Sequence, residues 1–182
     1  EHDITYHAGT MVDIVKASRE VGLEVFLDPW GVRRVFGGES FSTFVKTHPD
    51  CRQRLNFPEG EIKVYKACLN SKTFRDDMVA WIELAAKTGA EGVFWDEPHL
   101  FFGEFTPLFG GKKRDIWGCT CNVCKDMFKQ KCGYEMPGDF TDDVKAFRQM
   151  TIVDFLEYLA NEASKKGLQN SVCLFPTADP RY

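Results

Sequence analysis

Gly92-Val93-Phe94-Trp95-Asp96-Glu97-Pro98, residues 92–98, is the stretch that indicates the fold of this chain. Its apolar part is typical of a short buried strand, and two acidic residues end that strand. Before it lies a helical pattern that Ser71 or Thr73 can cap and Gly89 can stop. The apolar positions of that helix recur at helical spacing: Phe74, Met78, Ile82, Ala85 and Ala86. A helix followed by a short apolar strand is the unit of which parallel α/β sheets are built.

A second unit of the same kind comes earlier in the chain. Thr10 and Asp13 form a capping-box pattern that predicts the start of a helix, and Gly22 suits its end. The apolar segment 23–27 then predicts a buried strand, which ends at Asp28.

A third unit closes the series. Thr141 or Asp142 can cap a helix whose apolar residues continue at three- and four-residue steps to Gly167. The segment 171–175 is the predicted strand, and we interpret Cys173 within it as a core residue.

These units predict an α/β fold with a parallel sheet, in a TIM-barrel-like (β/α) arrangement that forms one domain over 1–182. Three clear strands in 182 residues fall short of a complete barrel, which has eight strands and roughly 250 residues. We therefore expect a partial or truncated barrel, or further strands inside the insertions 31–70 and 99–140. The segment 62–67 is one such candidate strand.

Composition and charge exclude several classes of function. A 43% hydrophobic and 27% charged composition is typical of an ordered globular domain. A net charge of −4 and a pI near 5.6 argue against nucleic acid or anionic lipid as a partner. Neither a signal peptide nor a membrane-spanning run is recognisable. Seven cysteines clustered at metal spacing favour a reducing, cytoplasmic compartment, and homo-oligomerisation stays open.

Cys119, Cys121 and Cys124 form a C-x-C-x-x-C cluster, the strongest motif in the sequence. Three cysteines within six residues rarely all pair with one another as disulfides, whereas their thiolates suit a tetrahedral zinc ion. A fourth ligand must come from elsewhere, and Cys68 and Cys132 are the candidates. Four protein thiolates would close the site, so the zinc would be structural. The alternatives are buried free thiols or a redox pair at Cys121 and Cys124.

Asp96 and Glu97 are the predicted chemical site. Burying an unpaired carboxylate costs several kcal/mol, so we expect the two side chains to reach an open cleft. Adjacent aromatic rings and a like charge would raise a carboxyl pKa, as a general acid requires. The alternative is an exposed acidic turn before Pro98. His99 could hydrogen-bond the carboxylate or ligate a bound group, and a merely solvated histidine is the alternative.

Asp28 and Trp30 follow the neighbouring predicted strand and are expected at the same cleft. The carboxylate would accept hydrogen bonds from a ligand, and the indole rings of Trp30 and Trp95 would provide a stacking surface. A helix-capping Asp28 beside a packing Trp30 is the alternative.

Three motifs taken together resemble a known family: 67–75, then Trp95-Asp96-Glu97, then the C-x-C-x-x-C loop. They are similar to the central third of family 42 β-galactosidases and related (β/α)₈-barrel glycoside hydrolases, over about residues 64–136. The resemblance implies that Glu97 is the acid/base. It also implies that the zinc ligands are Cys68, Cys119, Cys121 and Cys124.

The chain departs from that family at two points. The family has Asn where this sequence has Asp96, so contacts with the substrate are expected to differ. The family's nucleophilic Glu lies on the seventh barrel strand, for which this sequence has no room. A retaining mechanism needs two carboxyl groups about 5 Å apart, and the sequence shows one good candidate, Glu97.

The leading hypothesis is a glycoside hydrolase-like protein with a structural zinc ion, acting on carbohydrate through Glu97. Asp28, Asp96, His99 and the two tryptophans would bind the sugar. A non-catalytic barrel portion that binds carbohydrate or a protein partner is the alternative from another class. An acid/base enzyme acting on a different substrate is a third.

Overall fold

A computed structural model describes residues 2–29, 35, 43–57, 62–101 and 116–174. It contains both helices and strands. In chain order the elements are α1 (His2–Glu20), β1 (Phe26–Leu27), α2 (Phe44–Thr47), a 3₁₀ turn (Pro49–Cys51), β2 (Arg52–Leu55), β3 (Ile62–Ala67), α3 (Lys72–Lys87), β4 (Gly92–Asp96), α4 (Asn122–Cys132), α5 (Asp142–Lys165) and β5 (Gln169–Cys173).

The main sheet has three parallel strands in the order β1-β4-β5. Phe26 lies beside Gly92, and Asp96 at the end of β4 lies beside Cys173 at the end of β5. The predicted α/β class with a parallel sheet is therefore confirmed. The described residues form an open sheet and not a closed barrel.

Local signals placed two of the main helices correctly. Ser71 Oγ accepts a hydrogen bond from the Phe74 amide at 3.4 Å, which caps α3. Thr141 Oγ1 does the same for α5, from the Val144 amide at 3.3 Å. Gly167 follows α5 with φ near 80°, a left-handed conformation that suits glycine.

The core lies between the sheet and the helices α3 and α5. Val93 and Trp95 point toward these helices and are fully buried. The rings of Phe74 on α3 and Phe155 on α5 stack with their centroids 5.5 Å apart. This packing fixes the direction of β4 and so decides where its acidic end lies.

The first unit differs from the prediction at both of its elements. Helix α1 begins at His2, so Thr10 lies inside it and is not its N-cap. The strand is only two residues long, and Leu23 is 60% exposed. Just before β1, the Val25 amide donates to the Glu91 carboxylate at 2.7 Å, while the Val25 carbonyl accepts from the Glu91 amide at 3.0 Å. A side chain thus provides one of the hydrogen bonds at this end of the strand.

Strand β5 begins two residues earlier than predicted, at Gln169. The turn at Gly167 lets Leu168 enter the core at once, where it is 4% exposed. The Gln169 amide then donates to the Glu91 carbonyl at 2.9 Å and starts the parallel pairing.

The predicted strand 62–67 exists as β3, but it lies outside the main sheet. It pairs antiparallel with β2 in a separate two-stranded ribbon. Within the described ranges, no helix has the length and apolar character needed to cross a bilayer.

Candidate metal centre and acidic strand ends

Four cysteine side chains converge in the interior of the protein: Cys68, Cys119, Cys121 and Cys124. Each is at most 6% exposed, and their sulfur atoms all lie within 4.8 Å of one another. The Cys68 sulfur is 3.6 Å from that of Cys121 and 3.4 Å from that of Cys124. A disulfide would need about 2.05 Å, whereas ligands 2.3 Å from a tetrahedral zinc ion lie about 3.8 Å apart. The four thiols therefore fit one metal ion, and Cys68 is the fourth member.

The β2–β3 ribbon brings the two halves of this cluster together. Cys68 follows β3, and its amide donates to the Cys51 carbonyl at 2.6 Å. On the other side of the ribbon, Gly118 forms a β-bridge with Leu55 on β2. The Thr120 amide donates to the Arg54 carbonyl at 2.8 Å, which fixes the loop between two of the ligands.

The electrostatics of the cluster favour a thiolate at Cys121. Hydrogen bonds from Cys119, Cys124 and Cys68 lower the pKa of Cys121. The pKa values of Cys68 and Cys124 are raised, and hydrogen bonding to Cys119 is the largest cause in both cases. Cys121 is also the N-cap of α4, where the helix dipole favours negative charge. Because metal ligation needs deprotonated thiols, binding would release the remaining protons.

Two polar residues beside the cluster were missed at the sequence level. Asn70 Nδ2 lies 3.4 Å from the Cys124 sulfur and 3.4 Å from Thr151 Oγ1. Arg148, on α5, is 4% exposed and interacts electrostatically with Cys119 and Cys124. Asn70 is two residues after the predicted ligand Cys68, so its position in the sequence could have indicated that it lies near the cluster. Arg148 has no such signal, because it becomes a neighbour only through tertiary packing.

The acidic residues meet at the carboxyl ends of the three parallel strands. Asp28 follows β1, Asp96 ends β4, and Cys173 ends β5. Ligand atoms of Asp96, Glu97 and Cys173 lie within 4.8 Å of one another. Burial and the charge of Asp96 raise the pKa of Asp28 to about 6, and the same two causes raise that of Glu97. This edge can therefore hold a proton on a carboxyl group near neutral pH.

Glu97 is held in an uncommon backbone conformation, with φ at 43°. Its amide donates to the Cys173 carbonyl at 3.1 Å, and its own carbonyl lies 2.6 Å from His99 Nδ1. The other ring nitrogen, Nε2, is 2.6 Å from Lys66 Nζ. This pairing requires a neutral imidazole that carries its proton on Nδ1. His99 thus contacts the main chain of the site, and the alternative of a solvated side chain is wrong.

Two further side chains lie elsewhere than the sequence predicted. Trp95 has 0% exposure, and its Nε1 donates to Asn170 Oδ1 at 2.8 Å. An indole with no exposed face offers nothing for a sugar to stack on, so Trp95 is a core residue in this structure. Cys173, interpreted as a core residue, instead lies half-buried beside Asp96. Trp30 lies outside the described residues.

Comparison of the chain with protein-family models, with curated proteins and with solved structures found no match. The resemblance to family 42 β-galactosidases stays a prediction that rests on its motifs.

Proposed function

We propose that this protein uses the acidic strand ends for general acid/base chemistry on a carbohydrate, with a structural zinc ion at the cysteine cluster. One observation carries the chemical part. Asp96 and Glu97 lie together at the carboxyl edge of the parallel sheet, and Asp28, after the neighbouring strand, interacts electrostatically with Asp96. The pKa values of Asp28 and Glu97 are both raised there. The carboxyl ends of parallel strands are where α/β folds place their chemistry.

Glu97 is the proposed general acid. It directly follows β4, and its backbone is held by hydrogen bonds to Cys173 and His99. A carboxyl group held in this way can deliver its proton to the glycosidic oxygen from a constant direction. Asp96 and Asp28 would bind sugar hydroxyls.

Zinc is the proposed metal because four thiolates form a closed tetrahedral site, which leaves no open position for a substrate. The ion would hold the loop 116–121 against β2 and fix the start of α4. The three parallel strands are the proposed part of a (β/α) barrel, with the β2–β3 ribbon inserted after β1.

The test is hydrolysis of a panel of nitrophenyl and alkyl glycosides by the wild type and by Glu97→Gln. We expect the variant to lose a factor of at least about 10², the usual contribution of general acid catalysis. The loss should be smaller on aryl than on alkyl glycosides, because a good leaving group needs little protonation. Glu157→Gln, on an exposed face of α5, is the control and should retain full activity.

Three results would contradict the assignment. Equal losses on aryl and alkyl substrates would show that Glu97 is not the acid. If Asp28→Asn loses less activity on aryl than on alkyl glycosides while Glu97→Gln stays active, the general acid is Asp28 and not Glu97. A wild type that binds sugars without hydrolysing them would favour the non-catalytic carbohydrate-binding alternative.

A further inference from the structure

Arg148 is a buried cation, and its burial is favourable only if a negative charge lies nearby. Its side chain lies in the interior at 4% exposure. Nη1 donates to the Phe101 carbonyl at 3.3 Å, and the guanidinium carbon lies 5.7 Å from the ring centre of Phe140. Nε has no hydrogen-bond partner within the described part of the chain. A buried charge with an unsatisfied donor is strongly unfavourable unless an opposite charge lies nearby.

The cysteine cluster is the neighbour that can supply this charge. The Phe101 carbonyl that accepts from Arg148 also accepts from the Gly118 amide at 2.9 Å, and Gly118 directly precedes Cys119. The guanidinium and the ligand loop therefore share one acceptor. No carboxylate among the described residues forms an ion pair with Arg148.

A second contact lies on the same face of α5. Thr151 follows Arg148 by three residues, so the two side chains share that face. Thr151 Oγ1 accepts from Asn70 Nδ2 at 3.4 Å, and the same amide nitrogen is 3.4 Å from the Cys124 sulfur. Helix α5 thus borders the cluster at two points. Burial lowers the pKa of Arg148 to about 10, against the opposing effect of Cys119 and Cys124, so the side chain is charged at neutral pH.

The negative charge of a metal-loaded site would account for the position of Arg148. Four thiolates around a divalent ion carry a net charge of −2, and a buried charge of that size is costly in a low-dielectric interior. A guanidinium that shares the Phe101 carbonyl with the ligand loop would offset part of that charge.

We propose that Arg148 is the buried counter-cation of the metal centre and raises its affinity for a divalent ion. This inference rests on the proposed metal site. It predicts that Arg148 stabilises the metal-loaded protein much more than the metal-free protein. A side chain that acted only through packing would affect both forms equally.

The test compares Arg148→Met with the wild type. Co²⁺ and Zn²⁺ affinities are measured by competition with a chromophoric chelator, and unfolding free energies are measured with and without metal. We expect the variant to bind both ions at least tenfold more weakly, equivalent to about 1.4 kcal/mol. Its metal-free form should be as stable as the wild type or more stable, because a buried cation without a carboxylate partner is replaced by an apolar side chain.

Arg19→Met is the control. Arg19 has a carboxylate partner in Glu91 and also donates to the Gly89 carbonyl, so its contacts lie before β4 and not at the cluster. Its loss should affect the stability of both forms equally and leave metal affinity unchanged. If Arg148→Met does not fold, Arg148→Lys and Arg148→Gln replace it, and the charged variant must bind metal more tightly than the neutral one.

Two outcomes would overturn the proposal, and they are distinguishable. A wild type that binds neither ion would remove the metal centre and the counter-cation together. A wild type that binds metal, with Arg148→Met or the Lys and Gln pair showing no difference in affinity, would remove the counter-cation alone.

Discussion

His99 is held neutral by its surroundings. Burial is the main cause, and the nearby charge of Lys66 adds to it, so that the pKa of His99 falls from 6.5 to about 4. The neutral ring joins β3 to the acidic strand end, through Lys66 Nζ on one side and the Glu97 carbonyl on the other. Protonation would place a second positive charge against Lys66.

This arrangement predicts a specific pH dependence of stability. Between pH 6.5 and 4 the unfolded chain binds a proton at His99 that the folded protein does not bind. The free energy of unfolding is therefore highest above pH 6.5 and falls as the pH decreases toward 4. The full contribution of such a shift is about 3 kcal/mol. Denaturant unfolding of the wild type and His99→Gln from pH 7.5 to 4.5 measures it.

Comparing the two proteins isolates His99 from other acid-sensitive groups. Both should lose metal as the cysteine ligands become protonated, and both retain Asp28. We expect the wild type to lose stability more steeply, so that its advantage over His99→Gln shrinks or reverses at low pH. Parallel curves would show that His99 does not titrate below its ordinary range.

At the scale of elements, the pairing of β1, β4 and β5 depends on Gly92. A β carbon placed there would lie 2.4 and 2.6 Å from ring atoms of Phe26, and 2.7 Å from the Gln169 carbonyl oxygen. Phe26 is on β1 and Gln169 is on β5, so the position is crowded from both neighbouring strands. Only a residue without a side chain lets the three strands start in register.

Gly92→Ala should therefore be destabilising, by about 1–3 kcal/mol, the usual cost of overpacking. Gly9→Ala is the matched control, since a β carbon at Gly9 in α1 meets nothing within 4 Å. That change should raise the free energy of unfolding by about 0.5–1 kcal/mol, because alanine favours a helix over glycine. Urea denaturation of both variants gives the two values. If Gly92→Ala were as stable as the wild type, the close pairing of β1, β4 and β5 around Gly92 would be contradicted.

At the scale of the whole molecule, the cysteine cluster joins parts of the chain that are distant in sequence. Cys68 follows the β2–β3 ribbon, and the other three thiols belong to the loop and first turn that begin α4. Phe128 on α4 packs edge-on against Phe147 on α5, with ring centres 5.6 Å apart. A metal ion at the cluster would therefore connect the ribbon, through α4, to the main core.

Loss of the metal should destabilise the entire protein. We expect elemental analysis to find about one metal ion per chain, and a strong chelator to lower the melting temperature. Cys121→Ser should cost more than about 3 kcal/mol, because lost metal binding is lost folding free energy. Cys51→Ser, at a buried cysteine outside the cluster, should cost less and keep its sensitivity to the chelator. Thermal unfolding with and without chelator separates the two, and a Cys121→Ser melt like that of the wild type would refute the metal centre.

The local features of this protein follow from short-range patterns in its sequence. The caps at Ser71 and Thr141, the glycine turn after α5 and the buried face of that helix were all predictable, because each depends on residues within one or two helical turns. The cysteine spacing likewise indicated a metal cluster. The alternation of helices and strands indicated the parallel sheet, since crossover connections leave few other arrangements.

Which distant groups meet depends on the packing of the elements against one another. The period of a strand gives it two faces but does not say which face is buried, so Trp95 was expected in a cleft and lies in the core. The partner of β3 proved to be the nearby strand β2, in an antiparallel ribbon and not in the parallel sheet. Arg148 and Cys173 reach their sites through packing between elements far apart in the chain. Such contacts depend on the summed burial of many side chains, and no local pattern encodes that sum.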